Sequence, residues 1–123
     1  MAPLLIVDDR PEIQTLLGAV VQRFGFESTV AASAEEARAQ LTQSPEMIFV
    51  DLGLPGLSGA DFVRELRGMQ EFAQTPIVIV SANAIGAEQL ADEQSGPVEV
   101  VTKPFRFERL AKIIEKYFPD RRG

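Results

Sequence analysis

Apolar residues fall into short runs along the chain, and each run is followed by a segment whose apolar positions have helical spacing. Five runs have the length and composition of strands, namely residues 4–7, 28–30, 47–50, 77–80 and 98–102. Most of them lack alternating polar positions, which is typical of strands buried on both faces of a parallel sheet. The pattern therefore predicts an α/β domain.

Five helices are predicted to follow these strands. Pro11 opens the first, Gly25 stops it, and residues 33–36 have the form of a capping box ahead of the second. The fourth, over residues 84–94, is weakened by Gly86. The third and fifth helices carry clear apolar faces, formed by Phe62, Leu66 and Met69 and by Phe107, Leu110, Ile113, Ile114 and Tyr117.

Alternation of five strands with five helices indicates a doubly wound (βα)5 fold, in which helices cover both faces of a five-stranded parallel sheet. With 123 residues, of which 46% are apolar and 24% charged, the chain fits one compact domain better than two. No flexible linker or low-complexity segment interrupts it. We therefore expect a single domain over residues 1–123, with no effector domain.

Composition excludes several kinds of chemistry. The chain has no cysteine and no histidine, so disulfides, thiolate metal sites and histidine acid–base catalysis are excluded. The net charge of -6 argues against direct nucleic-acid binding and suits a site that collects a cation. No apolar run approaches the roughly 20 residues of a membrane span, and Met1 begins no signal-peptide pattern. We expect a cytoplasmic protein that does not associate with a membrane.

Candidate chemistry stands where the predicted strands end. Asp8 and Asp9 follow the first strand, Asp51 the third, Ser81 the fourth and Lys103 the fifth. Functional groups of open parallel sheets gather at the carboxyl ends of the strands, so these side chains are expected to converge. Two carboxylates about 4 Å apart repel by roughly 4 kcal/mol at an effective dielectric of about 20, which calls for a cation. An all-oxygen pocket selects a hard ion, Mg²⁺ in particular.

The same groups are suited to phosphoryl transfer. The oxygens of an incoming phosphoryl group need a metal ion, an ammonium group and a hydroxyl donor, and Lys103 and Ser81 provide the last two. Most of the catalysis in such a transfer is in-line positioning and charge neutralisation. A carboxylate nucleophile suffices, and Asp51 is placed as one.

Four sequence fragments at these strand ends stand out together. They are LIVDD at 5–9, VDLGLPG at 50–56, SA at 81–82 and KPF at 103–105. In this order they resemble the signatures of bacterial two-component response-regulator receiver domains, and the resemblance covers essentially the whole chain. It implies a chemotaxis-regulator-like fold with the flavodoxin-like strand order 2-1-3-4-5.

The resemblance implies a Mg²⁺ site and a phosphoacceptor. Asp51 would accept the phosphoryl group and also bind the metal. Asp9 would bind Mg²⁺ directly, whereas Asp8 would reach it mainly through water. The backbone carbonyl of Gly53 would be a further metal ligand.

The resemblance also implies a signalling role. Ser81 would move onto the phosphoryl group, and Lys103, joined to Pro104 by a cis peptide bond, would pair with the acceptor carboxylate and then with the phosphate. A sensor histidine kinase or histidine phosphotransfer protein would donate the phosphoryl group. The fourth helix, fifth strand and fifth helix would present the output surface to a downstream protein target. The domain would be a monomer or weak dimer that catalyses only its own phosphorylation and dephosphorylation.

Two positions depart from the family pattern. Val100 stands where receivers commonly carry Tyr or Phe, so the usual rotation of an aromatic ring is not expected to report the switch. Gly53 lacks the side chain that often screens the phosphoryl group from water, so we expect no unusual protection of the phosphorylated state.

Each residue also has an ordinary structural interpretation. Asp9 could cap the first helix, and Asp51 could stabilise a bend at Leu54-Pro55-Gly56. Ser81 and Lys103 could be solvated surface groups. Only their joint placement favours the functional interpretation. The final helix carries basic residues whose preferred interpretation is a charged outer face near a helix C-terminus, namely Arg109, Lys112 and Lys116.

Three other functions compete. A phosphatase of the haloacid-dehalogenase type needs an acidic residue two positions after its first Asp, where this chain has Arg10, and a cap domain. An interaction module independent of phosphorylation would be expected to have lost one of the acidic residues or Lys103. A flavodoxin-like cofactor binder needs a phosphate-binding loop after the first strand, and no such Gly-rich or Ser/Thr-rich loop is present.

Overall fold

A computed structural model describes residues 2–54, 56 and 58–121 of the chain. Its five strands are β1 Leu4–Val7, β2 Ser28–Ala31, β3 Ile48–Asp51, β4 Ile77–Ser81 and β5 Val98–Thr102. All neighbouring strands are parallel, in the order β2-β1-β3-β4-β5. This confirms the predicted doubly wound fold and its strand order.

The helices connect successive strands and cover both faces of the sheet. They are α1 Pro11–Arg23, α2 Ala34–Gln40, α3 Gly59–Gly68, α4 Ala84–Glu93 and α5 Phe107–Tyr117. The apolar pattern does not predict the two short 3₁₀ helices, Leu41–Gln43 and Gln70–Phe72, that follow α2 and α3. Helix α4 ends one residue earlier than the predicted Gln94, whose backbone is extended while its side chain donates to the Leu90 carbonyl.

Two hydrophobic clusters form the core, one on each face of the sheet. Alternate strand residues divide between them, so that Leu5 faces one cluster and Leu4 and Ile6 face the other. Helices α2, α3 and α4 pack on the first face, whereas α1 and α5 pack on the second. Because strands β1, β3 and β4 are buried on both sides, their apolar runs do not alternate with polar residues.

Polar caps begin three of the helices. The hydroxyls of Ser33 and Ser58 accept hydrogen bonds at 3.1 Å from backbone amides in the first turns of α2 and α3. The side chain of Asn83 accepts one at 3.0 Å from the Gly86 amide in α4. The predicted capping box is confirmed at Ser33, although the Glu36 carboxylate accepts from the amide of Ala32 instead of that of Ser33.

Strand register brings the candidate residues to one edge of the sheet. Val7 pairs with Val50, Asp51 with Val80, and Ser81 with Thr102. The residues that end or follow these strands therefore lie side by side, as expected for a parallel sheet. The predicted bend after β3 includes Pro55, which lies outside the described residues.

Candidate functional site

A cleft of about 780 Å³ opens at the carboxyl ends of the strands. Four of the predicted side chains and the predicted glycine line it, namely Asp9, Asp51, Gly53, Ser81 and Lys103. Side chains that the prediction did not assign to the site also line it, among them Arg10, Ile13, Leu16, Asn83 and Phe105. Leu16 of α1 is exposed, and no sequence signal assigns it to a cleft. The same lining includes Phe105, which comes from the distant loop between β5 and α5.

Three carboxylates converge beside this cleft. One oxygen from each of Asp8, Asp9 and Asp51 can be chosen so that all three lie within 4.8 Å of one another. Asp8 and Asp51 are buried, whereas Asp9 is exposed. The Nζ of Lys103 lies 3.5 Å from Asp8 Oδ2 and 3.5 Å from Asp51 Oδ1, and the lysine side chain is only 15% exposed. One ammonium group thus contacts two of the three carboxylates and neutralises the charge of only one.

The environment of Asp8 shows that the negative charge of the carboxylate cluster is not fully neutralised. Its Oδ1 accepts a hydrogen bond from the backbone amide of Arg10 at 2.9 Å, but its buried Oδ2 accepts none from the described residues. Burial raises the pKa of Asp8; the Arg10 amide opposes the rise, the charge of Asp51 adds to it, and the charge of Lys103 opposes it. A small hard cation would satisfy such oxygens, so the donor set fits Mg²⁺.

Backbone contacts fix the position of Asp51. The Gly53 amide donates to Asp51 Oδ1 at 3.2 Å. A Cβ on Gly59 would overlap the backbone carbonyl of Asp51, so the start of α3 packs directly on the end of β3. A glycine required by close packing has no distinct sequence pattern, so this contact is not predictable from the sequence. A Cβ on Gly53 would lie 3.8 Å from both carboxylate oxygens of Asp51, which is an ordinary contact distance.

Ser81 joins the site to the beginning of α4. Its hydroxyl accepts from the Asn83 amide at 3.0 Å and donates to the Asn83 carbonyl at 3.3 Å. Asn83 in turn caps α4. Ser81 is 6% exposed. The hydroxyl therefore lies at the cleft while it holds the turn that starts the helix.

The structure contradicts some of the ordinary structural interpretations of the site residues and agrees with others. A capping role for Asp9 is wrong, because Arg10 is the N-cap residue of α1 and no side chain makes the capping bond. A solvated surface position is wrong for both Ser81 and Lys103, which are largely buried. Asp51 does make the local turn bond to Gly53, and it does so within the carboxylate cluster. The peptide bond between Lys103 and Pro104 is cis, as predicted.

The basic face of α5 is partly neutralised within the molecule. Lys116 Nζ lies 2.7 Å from Glu99 Oε2, and Arg109 Nη2 lies 3.9 Å from Glu99 Oε1. Arg109 also donates to the Val100 carbonyl at 2.9 Å. These contacts agree with the preferred interpretation of an ordinary charged face. In the part of the chain that the structure describes, no helix is long and apolar enough to cross a membrane.

Comparisons with known proteins agree with this geometry. The family model described as response regulator receiver domain matches residues 4–115. The transcriptional regulatory protein KdpE of Mycobacterium tuberculosis is 31% identical over 106 residues, which are 85% of this chain and 46% of that protein. The chain thus spans about half the length of the first curated relatives that it matches.

Solved structures with the same fold lead to the same family. The chemotaxis protein CheY4 of Vibrio cholerae has a TM-score of 0.84 and 27% identity, with 96% of this chain and 99% of that chain covered. The receiver domain of sensor histidine kinase PA1611 of Pseudomonas aeruginosa, with a magnesium ion coordinated in its active site cleft, has a TM-score of 0.80 and 28% identity, covering 94% and 96%. The chain therefore belongs to the response regulator receiver domain family of two-component signal transduction.

Proposed function

We propose that this domain accepts a phosphoryl group on Asp51, with the help of Mg²⁺, and thereby changes the surface formed by α4, β5 and α5. The observation that carries the proposal is the cluster of Asp8, Asp9 and Asp51 around Lys103 at the carboxyl ends of the strands. This cluster combines a carboxylate nucleophile, a cation site and an ammonium group in one cleft.

Mg²⁺ would be held by Asp9, by Asp51 and by the backbone carbonyl of Gly53, with Asp8 reaching it mainly through water. The Oδ2 of Asp8 supports this assignment, because this buried oxygen accepts no hydrogen bond from the described residues and shares the one nearby ammonium group, that of Lys103, with Asp51. When bound, the metal supplies charge neutralisation for the oxygens of the transferred group. A magnesium ion in the PA1611 receiver cleft is in keeping with this donor set.

The phosphoryl group would come from a phosphohistidine on a sensor kinase or a phosphotransfer protein. An oxygen of the Asp51 carboxylate forms the new bond to phosphorus while the bond from phosphorus to the imidazole nitrogen breaks, and the electron pair stays on that nitrogen. Lys103, already 3.5 Å from Asp51, pairs with the transferred phosphate. The domain catalyses only this step and its own dephosphorylation, and it turns over no external substrate.

The signal would pass through Ser81. Phosphorylation adds about -1.5 to -2 charges beside Lys103, and these charges attract the Ser81 hydroxyl. Among the described residues that hydroxyl bonds only to Asn83, the cap of α4, so its movement changes the first turn of the helix. Helix α4 is suited to respond, since only Ala87 and Leu90 of its residues are buried. Because position 100 on β5 is valine, no aromatic ring at this position can rotate in response to the switch.

A downstream protein would read this surface. We propose a cytoplasmic domain, monomeric or weakly dimeric, that makes no direct contact with nucleic acid or membrane. Its net charge of -6 supports the absence of nucleic-acid binding. The single-domain assignment over residues 1–123 belongs to the same proposal.

Incubation with phosphoramidate tests the chemistry, because this small molecule contains the phosphorus–nitrogen bond of phosphohistidine. Intact mass is measured with Mg²⁺ and with a chelator, for the parent protein, for Asp51→Asn and for the exposed control Asp92→Asn. We expect a gain of one phosphoryl group that requires Mg²⁺, is absent in Asp51→Asn and is unchanged in Asp92→Asn. An adduct that survives in Asp51→Asn would contradict the proposal. No adduct under any condition would favour a module that is independent of phosphorylation.

The switch is tested separately with Ser81→Ala. Amide chemical shifts of α4 are compared before and after addition of beryllofluoride and Mg²⁺, the former as a mimic of the phosphoryl group. The variant should still bind the mimic at Asp51 but lose most of the shifts in α4. Equal α4 shifts in the variant and the parent protein would exclude Ser81 as the coupling group.

A further inference from the structure

Arg10 lies at the mouth of the cleft and has no assigned role in the mechanism above. Among the described residues, Arg10 and Lys103 are the two cationic side chains that line the cleft. Lys103 is mostly buried between carboxylates, whereas Arg10 is exposed. A ligand that approaches Asp51 from solvent therefore meets the positive charge of Arg10 before that of Lys103.

Local structure gives no use for this guanidinium. Arg10 is the N-cap residue of α1, but its side chain makes no capping bond, and a cation is disfavoured at a helix N-terminus. Its backbone amide holds Asp8, a function that any residue except proline could perform. The Arg10 side chain forms no ion pair with residues 2–54, 56 or 58–121, since none of their carboxylates lies within 4.0 Å of its guanidinium nitrogens.

The cleft around Asp51 is also open. Gly53 adds no side chain above the Asp51 carboxylate, and a Cβ there would have only ordinary contacts. An anionic phosphodonor that enters this opening is repelled by three carboxylates, whose negative charge exceeds the single positive charge of Lys103. The exposed guanidinium of Arg10, which forms no ion pair with the described residues, reduces that repulsion and raises the local concentration of anions.

We propose that Arg10 is a specificity-determining residue that favours small, strongly anionic phosphodonors of the acyl phosphate class. In this reaction an Asp51 oxygen bonds to phosphorus, the bond between phosphorus and the acyl oxygen breaks, and a carboxylate leaves with the electron pair. The proposal rests on the proposed phosphoacceptor function. The same positive charge opposes entry of Mg²⁺, so Arg10 acts on the two ligands in opposite directions.

The chain provides a matched control. Arg106 is also an exposed arginine at the N-cap of a helix, α5, without a side-chain capping bond, but it lines a different groove. Arg10→Ala and Arg106→Ala therefore make the same change in net charge and in cap chemistry. Only the first of them removes a charge from the cleft around Asp51.

Two measurements on the parent protein and both variants test the proposal. The first is the rate of Asp51 phosphorylation by acetyl phosphate and by the less negatively charged phosphoramidate. The second is Mg²⁺ affinity from calorimetry. We expect Arg10→Ala to slow the reaction with acetyl phosphate about fivefold, to slow that with phosphoramidate less, and to bind Mg²⁺ about twofold more tightly. Added salt should shrink these differences, and Arg106→Ala should match the parent protein.

An electrostatic effect of Arg10 changes the phosphorylation rate and the Mg²⁺ affinity in opposite directions, which distinguishes it from structural damage. Weaker binding of Mg²⁺ together with slower phosphorylation in Arg10→Ala would indicate a distorted cleft and overturn the proposal. Equal rates with acetyl phosphate in Arg10→Ala and Arg106→Ala would also overturn it. If none of the three proteins is phosphorylated, the proposed function fails, and an unchanged Mg²⁺ affinity in Arg10→Ala would then overturn the role of Arg10 as well.

Discussion

Strands β4 and β5 have a cation at each end, and the two cations are held in opposite ways. At the carboxyl ends, Lys103 lies 3.5 Å from two carboxylates, one of which keeps a buried oxygen without a hydrogen bond from the described residues. Near the amino ends, the Arg67 guanidinium from α3 is held by backbone carbonyls. Lys103 belongs to a charged cluster whose negative charges are not fully neutralised. Arg67 belongs to a nearly complete network of neutral hydrogen-bond acceptors.

The Arg67 network joins three segments. Nη1 donates to the carbonyls of Phe72, Ala73 and Thr75 at 2.8, 3.3 and 2.7 Å, and Nη2 donates to the carbonyl of Pro97. Among the described residues only its Nε lacks a partner. Burial lowers the pKa of this guanidinium, and the carbonyl acceptors keep the buried charge solvated.

The comparison separates a group that stabilises the fold from one that performs chemistry. Satisfied polar groups resist change, because moving any one of them exposes an unpaired partner. Groups with an unused acceptor are ready to bind an additional ion.

Arg67→Met should lower the free energy of unfolding by about 3 kcal/mol, because several partly buried carbonyls lose a charged donor. Urea denaturation measures the loss. Arg64→Met on the same helix is the matched control, since Arg64 makes only exposed ion pairs with Asp61 and Glu93, worth about 0 to 1 kcal/mol. Equal losses of unfolding free energy in Arg67→Met and Arg64→Met would show that the Arg67 network stabilises the fold no more than exposed ion pairs do. The folded fraction of Arg67→Met should still accept a phosphoryl group on Asp51.

Lys103→Met should lower the free energy of unfolding by about 2 kcal/mol without Mg²⁺, less than for a fully buried pair because the Lys103 side chain is 15% exposed. Mg²⁺ should restore most of this loss by replacing the missing positive charge. Denaturation with and without Mg²⁺ measures both effects. The exposed Lys112→Met is the control and should show neither. An Lys103→Met protein as stable as its parent without Mg²⁺ would refute the claim of charge imbalance.

Glu99→Gln should show how a carboxylate with satisfied hydrogen bonds differs from Asp8. Burial opposes the ionised form of Glu99, but hydrogen bonds from Lys116 at 2.7 Å and Tyr117 at 2.6 Å outweigh it and lower the pKa. A lowered pKa in the folded state stabilises the protein above the unfolded pKa, and this contribution is lost as pH falls through the folded pKa. The variant should therefore lose about 1 kcal/mol at neutral pH.

The difference between Glu99→Gln and the parent protein should vanish between about pH 5 and pH 3, where an ordinary glutamate becomes protonated. Thermal or urea unfolding over this range provides the measurement. A difference that grows toward acid pH would have the wrong sign and would contradict the hydrogen-bond assignment.

Gly53→Gln should lengthen the lifetime of the phosphorylated state about threefold by hindering the attacking water. A Cβ is tolerated at this position, because it would lie 3.8 Å from the Asp51 oxygens, an ordinary contact distance. Loss of the phosphoryl group is followed by intact mass. Gly68→Gln, at the end of α3 with nothing within 4 Å of its Cβ, should leave the lifetime unchanged. A lifetime of many hours in the parent protein would contradict the expected lack of protection.

Much of the fold follows from local pattern. The apolar runs predict the strands because burial on both faces allows few polar residues, and convergence of Asp8, Asp51 and Lys103 follows from parallel strands alone. The resemblance to receivers supplied the strand order, which the structure confirms. Roles of the individual site residues stay predictions until the experiments above are made.

Long-range polar contacts could not be predicted in the same way. Arg67 occupies a helix position at which an arginine is ordinarily solvated, and its acceptors are carbonyls of two loops, one of them 30 residues away in sequence. Glu99 lies in a strand, while its partners Lys116 and Tyr117 come from α5. Such pairs depend on the packing of helix against sheet, which a hydrophobic pattern does not specify.

The most direct test of the account is an amide chemical-shift map of the parent protein with Mg²⁺ alone and then with Mg²⁺ and beryllofluoride. We predict large shifts at the carboxyl ends of the strands, at Asp9, Gly53, Ser81 and Lys103, and continuing into α4. Amides of the Arg67 network, such as those of Ala73 and Thr75, should change little. The absence of Mg²⁺-dependent shifts around Asp51, or equal shifts at both ends of the strands, would contradict the account.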